Sequence, residues 1–165
     1  MQMLMQLGGV DGFRFDSTVC VRRYGVNTSE CWHGNALTND DGNRLLVNAT
    51  AMVREEGGLS IAEDLNDNTG VLVSRSAGGL GFDHQWRNDL YVAMNSSLSE
   101  GQFGSLVDAL SLSCQENSPL HGIAYTETHD TASGQHGNNK LIFRLLLQEV
   151  PFSRALALSA AGLVA

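Results

Sequence analysis

The chain has 165 residues, of which 42% are hydrophobic and 17% charged, a balance that supports the core of one domain and excludes a disordered tail or a coiled coil. Its formal net charge of −8 argues against nucleic acid and anionic membrane surfaces as partners, because both select basic proteins. No apolar run is long enough to cross a bilayer, so the sequence predicts no membrane partner.

Strand-like and helix-like patterns alternate along the chain. A short helix over 1–7 ends at Gly8 and Gly9, a strand follows over 10–16, and a long polar stretch covers 17–43. A helix then begins at about residue 40, and its apolar face comprises Leu45, Leu46, Ala49, Met52 and Val53. Beyond it the pattern predicts a strand over 59–63, a short helix over 71–74, a strand over 80–86, a helix over 98–113, a strand over 123–127 and an apolar helix from about 141.

This alternation is typical of an α/β fold with parallel strands. A (β/α) barrel and a doubly wound sheet both fit the order of elements, and both place their active sites at the carboxyl ends of the strands. Polar residues gather after the predicted strand ends, so a site is expected there.

The cysteines and histidines predict no metal site. Cys20, Cys31 and Cys114 are odd in number and form no CxxC pair, which predicts reduced thiols in an intracellular protein. His121, His129 and His136 do not follow a standard ligand spacing, and we expect neither a metal nor another cofactor.

Two acidic residues stand directly at the ends of predicted strands. Asp16 ends the first strand on the same face as Arg14, and this cation favours the ionised carboxylate. Glu63 ends an apolar strand, where burial and neighbouring carboxylates would raise its pKa. Such a pair suits retaining glycoside hydrolysis, with Asp16 as nucleophile and Glu63 as general acid/base. A structural ion pair between Arg14 and Asp16, or loop carboxylates that cap helices, would give the same pattern.

Three motifs and one connecting segment carry a family resemblance. DGFRFD over 11–16, IAED over 61–64 and YTETHD over 125–130 resemble glycoside hydrolase family 13, the α-amylase clan, in order and approximate spacing. The AED form, the segment GGLGFDHQW over 78–86 and the YTETHD form are similar to 1,4-α-glucan branching enzymes. In place of the Lys-His pair that follows the nucleophile in many α-amylases, the chain has Ser17 and Thr18, which disfavours a plain amylase.

The resemblance implies a fold and a set of roles. It implies a partial (β/α)8 TIM barrel that covers strands four to seven, in a single domain over 1–165 that is truncated at both ends, since a complete barrel takes about 250 residues. It assigns Asp16 as nucleophile, Glu63 as general acid/base and Asp130 as the third carboxylate, with Arg14 beside the nucleophile and His129 on the same sugar.

The implied reaction cleaves an α-1,4 glucosidic bond and transfers the glucan chain to a 6-hydroxyl through a covalent glycosyl-enzyme, without a cofactor. The alternatives are an α-amylase-type hydrolase, another transglycosylase of the same family, or an inactive half-barrel. The expected partner is a glycogen-like or starch-like glucan, and the open sheet edges predict self-association. The expected compartment is the cytoplasm, or the plastid in a plant or alga.

Overall fold

The computed structural model describes residues 1–25, 31, 36–66, 68–100, 104, 106–108, 121–132 and 146. Its helices are α1 (Gln2–Gly8), α2 (Thr18–Arg22), α3 (Asp40–Glu55), α4 (Asn88–Glu100) and α5 (His129–Ala132). Its strands are β1 (Gly12–Phe15), β2 (Arg23–Tyr24), β3 (Leu37–Thr38), β4 (Leu59–Ala62), β5 (His84–Trp86) and β6 (Gly122–Ile123), and single 3₁₀ turns lie at Thr69–Val71 and Arg75–Ala77.

Four of these strands form one parallel sheet, in the order β1-β4-β5-β6. Phe15 lies opposite Ala62, Ala62 opposite Gln85, and Trp86 opposite Ile123, so the carboxyl ends of all four strands meet at one edge. The crossover between β1 and β4 contains α3, as a parallel connection requires. The predicted α/β fold with parallel strands is therefore confirmed.

Helix α3 covers this sheet with one face. Asn39 caps its first turn by accepting a hydrogen bond of 3.1 Å from the Gly42 N–H. Leu46, Ala49 and Val53 are buried as expected, but Leu45 and Met52 are 63% and 40% exposed, so the predicted apolar face was too broad. Thr50 takes a place on the buried face, where its hydroxyl donates to the Leu80 carbonyl at 2.8 Å.

The core of the sheet lies between α3 and the segment before β5. It comprises Leu46, Ala62, Val71, Leu80 and Phe82, and Phe15 packs against it. The rings of Phe15 and Phe82 meet edge to face with their centroids 5.2 Å apart. This contact anchors the end of β1 directly before Asp16.

Several predicted boundaries differ from the structure. β5 begins at His84 rather than at residue 80, because Gly81 has a φ of +73° and the chain turns there. β6 is Gly122–Ile123, so only Ile123 of the predicted 123–127 lies in the strand. α4, which has Asp89 in its first turn, was not predicted and overlaps the helix predicted over 98–113 only at 98–100. Of the rest of that predicted helix, the described residues 104 and 106–108 are helical. Of the predicted short helix over 71–74, only Val71 is helical, at the end of the first 3₁₀ turn. The helix predicted from about 141 lies outside the described residues except for Leu146.

The predicted polar stretch over 17–43 contains regular structure. It holds α2 and a small antiparallel ribbon in which Arg23 pairs with Thr38. The structure also joins Cys20 of α2 to Cys31 in a disulfide, with 5.0 Å between the two Cα atoms. The prediction of three reduced thiols is therefore wrong for this pair. No sequence pattern predicts this disulfide, because the two cysteines are eleven positions apart and belong to no recognised motif.

The chain divides into two compact units. Unit 1 comprises 1–86 and 121–123, and it contains the whole parallel sheet. Unit 2 comprises 87–120 and 124–165, and in its described part Leu90 and Ala93 of α4 pack with Met94 and Leu106. The single domain predicted over 1–165 stays a prediction. Within the part of the chain that the structure describes, no helix combines the length and apolarity needed to cross a membrane.

Candidate active site

Asp16 and Glu63 lie side by side at the carboxyl edge of the sheet. Each directly follows its strand, and the Glu63 N–H donates to the Phe15 carbonyl at 3.0 Å, which extends the β1–β4 pairing by one step. Neighbouring parallel strands thus bring together two residues that are far apart in sequence. Their exposures differ: the Asp16 side chain is 70% exposed, and that of Glu63 only 6%.

Arg14 joins the two carboxylates. Its Nη2 lies 2.9 Å from Asp16 Oδ1 and 2.9 Å from Glu63 Oε2. These two oxygens can therefore be no further apart than twice 2.9 Å. Retaining glycoside hydrolysis uses carboxyl groups separated by about 5–5.5 Å, and this limit is compatible with that spacing.

The guanidinium of Arg14 also stacks on an aromatic ring. Its Cζ lies 4.3 Å from the ring centroid of Trp86, the last residue of β5. The Nη2 of Arg14 forms both ion pairs. Within the described residues, neither this atom nor the Nε of Arg14 makes a hydrogen bond of good geometry. Trp86 and the two carboxylates therefore fix Arg14 mainly through electrostatic contacts.

Glu63 is held by a backbone amide as well as by Arg14. The Ser17 N–H donates to Glu63 Oε2 at 2.8 Å. Among the described residues other than glycine, Ser17 alone has a positive φ, of 43°, a conformation that costs energy. A strained residue at this point indicates that the contact matters to the site.

The pKa of Glu63 is raised above its ordinary value of 4.5, and burial is the largest cause. The Ser17 N–H and the Arg14 charge act in the opposite direction because they stabilise the ionised form. Asp16 adds to the rise through charge repulsion and a hydrogen bond. A carboxyl group with a raised pKa can keep a proton to donate, as a general acid must.

Two residues of α2 form hydrogen bonds that hold the segment containing Glu63. The Arg22 Nε and Nη2 donate to the two carboxylate oxygens of Asp64 at 2.6 Å and 3.0 Å. Thr18 adds a hydroxyl bond of 3.0 Å to the Glu63 carbonyl, and the Asp64 side chain is fully buried. This buried bidentate pair holds the backbone of Glu63 against the start of α2.

The other two predicted site residues belong to unit 2. His129 and Asp130 open α5, and both side chains are 61% exposed, with 3.4 Å between His129 Nε2 and Asp130 Oδ1. Thr128 and Thr131 bond to each other across the first turn of this helix. The structure thus brings Arg14, Asp16 and Glu63 together in unit 1 and places His129 and Asp130 in the other unit.

Three contacts of the site were not predicted from the sequence. Trp86 ends a predicted strand in the segment GGLGFDHQW, but its stacking on Arg14 was not predicted. The pairing of Arg22 with Asp64 joins distant positions, and the role of Ser17 depends on its backbone, so neither leaves a sequence signal. Among the described residues, no group of three or more His, Cys, Asp or Glu side chains could hold a metal ion.

A scan against models of known protein families finds none that matches this chain, and a search of curated proteins finds no similar sequence.

Proposed function

We propose that this chain is the catalytic segment of a retaining α-glucan-active enzyme of the glycoside hydrolase family 13 type, closest to a 1,4-α-glucan branching enzyme, in a partial (β/α)8 barrel. The observation that carries the proposal is the pairing of Asp16 with Glu63 on a single Arg14 nitrogen, at the carboxyl edge of a parallel sheet. Active sites of barrels and doubly wound sheets occupy this edge.

The proposed reaction has two steps. Glu63 donates its proton to the glycosidic oxygen while the Asp16 carboxylate attacks the anomeric carbon, so the departing glucan leaves with a free 4-hydroxyl. Glu63, now ionised, takes the proton of a glucan 6-hydroxyl, whose oxygen displaces Asp16 and forms the α-1,6 branch. In this proposal Asp130 and His129 hold hydroxyls of the reacting sugar. No cofactor takes part, and the compartment would be the cytoplasm or a plastid.

The first step can be tested with a fluorinated α-glucosyl fluoride. Its ring fluorine slows the release of the sugar, while the fluoride leaves without needing an acid, so the glycosyl-enzyme accumulates. We expect intact-mass spectrometry to show one added sugar and peptide mapping to place it on Asp16. Asp16→Asn should remove the label. Glu63→Gln should keep it, because the fluoride departs unaided.

Asp11→Asn is the matched control, because Asp11 belongs to the same motif and precedes β1. It should be labelled as fully as the unchanged chain. Labelling at another carboxylate, or no labelling of the unchanged chain, would contradict the roles assigned to Asp16 and Glu63.

The second step separates transfer from hydrolysis. After incubation with amylose, a branching enzyme creates α-1,6 linkages that a debranching enzyme releases as short chains. An amylase-type hydrolase raises the number of reducing ends without creating branches. Reducing ends alone would therefore assign the alternative function of a hydrolase of the same family.

A non-catalytic product is the second candidate. β1 and β6 lie at the two edges of the described sheet, and an open edge strand offers unpaired backbone groups to another chain. On this hypothesis the chain would self-associate through those edges. Light scattering coupled to size-exclusion chromatography tests it, and a monodisperse monomer that resists hydrogen exchange in β1 would contradict it.

A further inference from the structure

Unit 1 contains a second candidate site, whose lining residues do not include Asp16 or Glu63. A groove of about 410 Å³ lies between the first half of α3 and the segment before β5. We name it the asparagine groove, and its polar lining comprises Arg22, Asn43, Arg44, Asn48 and Asn68. Small-molecule sites usually have volumes of about 300–1,000 Å³, so the groove has room for a single small ligand.

The charged groups of this groove favour an anion. The chain as a whole is acidic, with a net charge of −8, yet the described residues that line the groove include two arginines and no carboxylate. Arg44 pairs with Asp41, but both side chains are highly exposed, at 76% and 84%. Such a surface pair is worth little, so Arg44 can turn to a ligand at small cost. Arg22 uses Nε and Nη2 on Asp64, which leaves Nη1 as a further donor.

The uncharged groups favour a sugar. Each asparagine carboxamide offers one acceptor and two donors, which is the combination that vicinal hydroxyls need. Within the described chain, the carboxamides of Asn43 and Asn48 bond to no other group, while Asn68 accepts from the Gly70 N–H at 2.8 Å. Val47 and the buried Leu80 add apolar surface against which the C–H face of a sugar ring can pack.

We propose that the asparagine groove binds a small phosphorylated sugar, with its phosphate on Arg44 and Arg22 and its hydroxyls on Asn43 and Asn48. Guanidinium groups suit phosphate because they donate two parallel hydrogen bonds. The site is independent of the glucan chemistry proposed above. Through Arg22 it adjoins Asp64, the residue after Glu63, so its ligand would contact the element that fixes the catalytic segment.

Calorimetric titration of the full chain with three probes tests the ligand class: a glucose monophosphate, glucose alone and inorganic phosphate alone. The phosphorylated sugar should bind at least about tenfold more tightly than either of the others, because only it uses both sets of groups. Amide chemical-shift changes should include Asn43, Val47, Gly70 and Gly79. Glucose binding as tightly as its phosphate, inorganic phosphate binding as tightly as the sugar phosphate, or no saturable binding would overturn the proposal.

Matched variants separate a specific site from general charge attraction. Arg44→Gln should weaken binding of the glucose monophosphate about tenfold. Arg75→Gln removes another exposed charge that does not line the groove, and it should leave the affinity unchanged. Asn48→Asp places a negative charge one helical turn from Arg44 at an exposed position, so it should weaken binding of the sugar phosphate more than binding of glucose. Equal losses in Arg44→Gln and Arg75→Gln would overturn the site.

Discussion

Unit 1 carries an arginine–carboxylate cluster at each end of its parallel sheet, and the pKa of Glu63 in one cluster and that of Asp83 in the other are shifted in opposite directions. At the carboxyl end, the pKa of Glu63 is raised. At the amino end, Asp83 precedes β5, and its pKa is lowered from the ordinary value of 3.8. Both acids have an arginine partner, so the presence of an arginine does not explain the difference.

The difference lies in how many donors each carboxylate has to itself. Burial raises the pKa of Asp83, but the Ser60 hydroxyl and N–H donate to Oδ2 at 2.7 Å and 2.9 Å, and Arg54 donates to Oδ1 at 2.7 Å. These bonds stabilise the ionised form and outweigh burial. Glu63 instead shares its arginine with Asp16, which repels its charge. One end of the sheet is thus arranged for stability, and the other keeps a group that can exchange a proton.

The largest expected effect is on activity. Glu63→Gln removes the proposed general acid/base and should lower the rate of amylose conversion by about 10²–10⁴-fold. Asp83→Asn changes an acid at the opposite end and should leave the rate within about threefold at a temperature where the variant is folded. Initial rates with amylose measure both. A comparable loss in the two variants would mean that the carboxyl end has no special role.

For the free energy of unfolding, we expect the Asp83 variant to lose more than the Glu63 variant. Asp83→Asn removes a charged acceptor from three hydrogen bonds and should lower the free energy of unfolding by about 1.5–3 kcal/mol. Glu63→Gln retains an oxygen for the Ser17 N–H and removes an acid that burial disfavours in its charged form, so it should leave stability at neutral pH unchanged or slightly higher. Urea unfolding followed by circular dichroism measures both. A Glu63 variant less stable than the Asp83 variant would contradict this division of roles.

The two clusters should also respond to pH with opposite signs. Asp83 has a lowered pKa in the folded chain, so its contribution is present above pH 3.8 and is lost as the pH falls through the folded-state pKa. Glu63 has a raised pKa, so its contribution is complete below pH 4.5 and is lost as the pH rises through the folded-state value. Unfolding free energies of the unchanged chain and each Asn or Gln variant, from about pH 3 to about pH 8, give the two difference curves. Parallel curves would contradict the opposite shifts.

The cluster at the carboxyl end of the sheet can be predicted from the sequence, but the cluster at the amino end cannot. Asp16 and Glu63 follow apolar strands, and the rule that parallel strands end at one edge predicts their proximity. The cluster around Asp83 depends on Ser60 and Arg54, which come from two other elements, and no periodic pattern relates them. Leu45 and Met52 show the same limit: helical spacing places them near the apolar face, but only tertiary packing decides which part of that face is covered.

The smallest expected effect separates ion pairing from hydrogen bonding. Asp41 pairs with Arg44 three residues along α3, where both side chains are exposed to solvent and lose side-chain entropy in holding the pair. Asp41→Asn should therefore change the free energy of unfolding by less than about 0.5 kcal/mol, well below the loss expected for Asp83→Asn. Urea unfolding at two salt concentrations checks this, since salt screens a surface pair but not the bonds from Ser60. If Asp41→Asn cost as much as Asp83→Asn, the arginine alone would account for the amino-end cluster, and the donor count could not explain why Glu63 behaves differently.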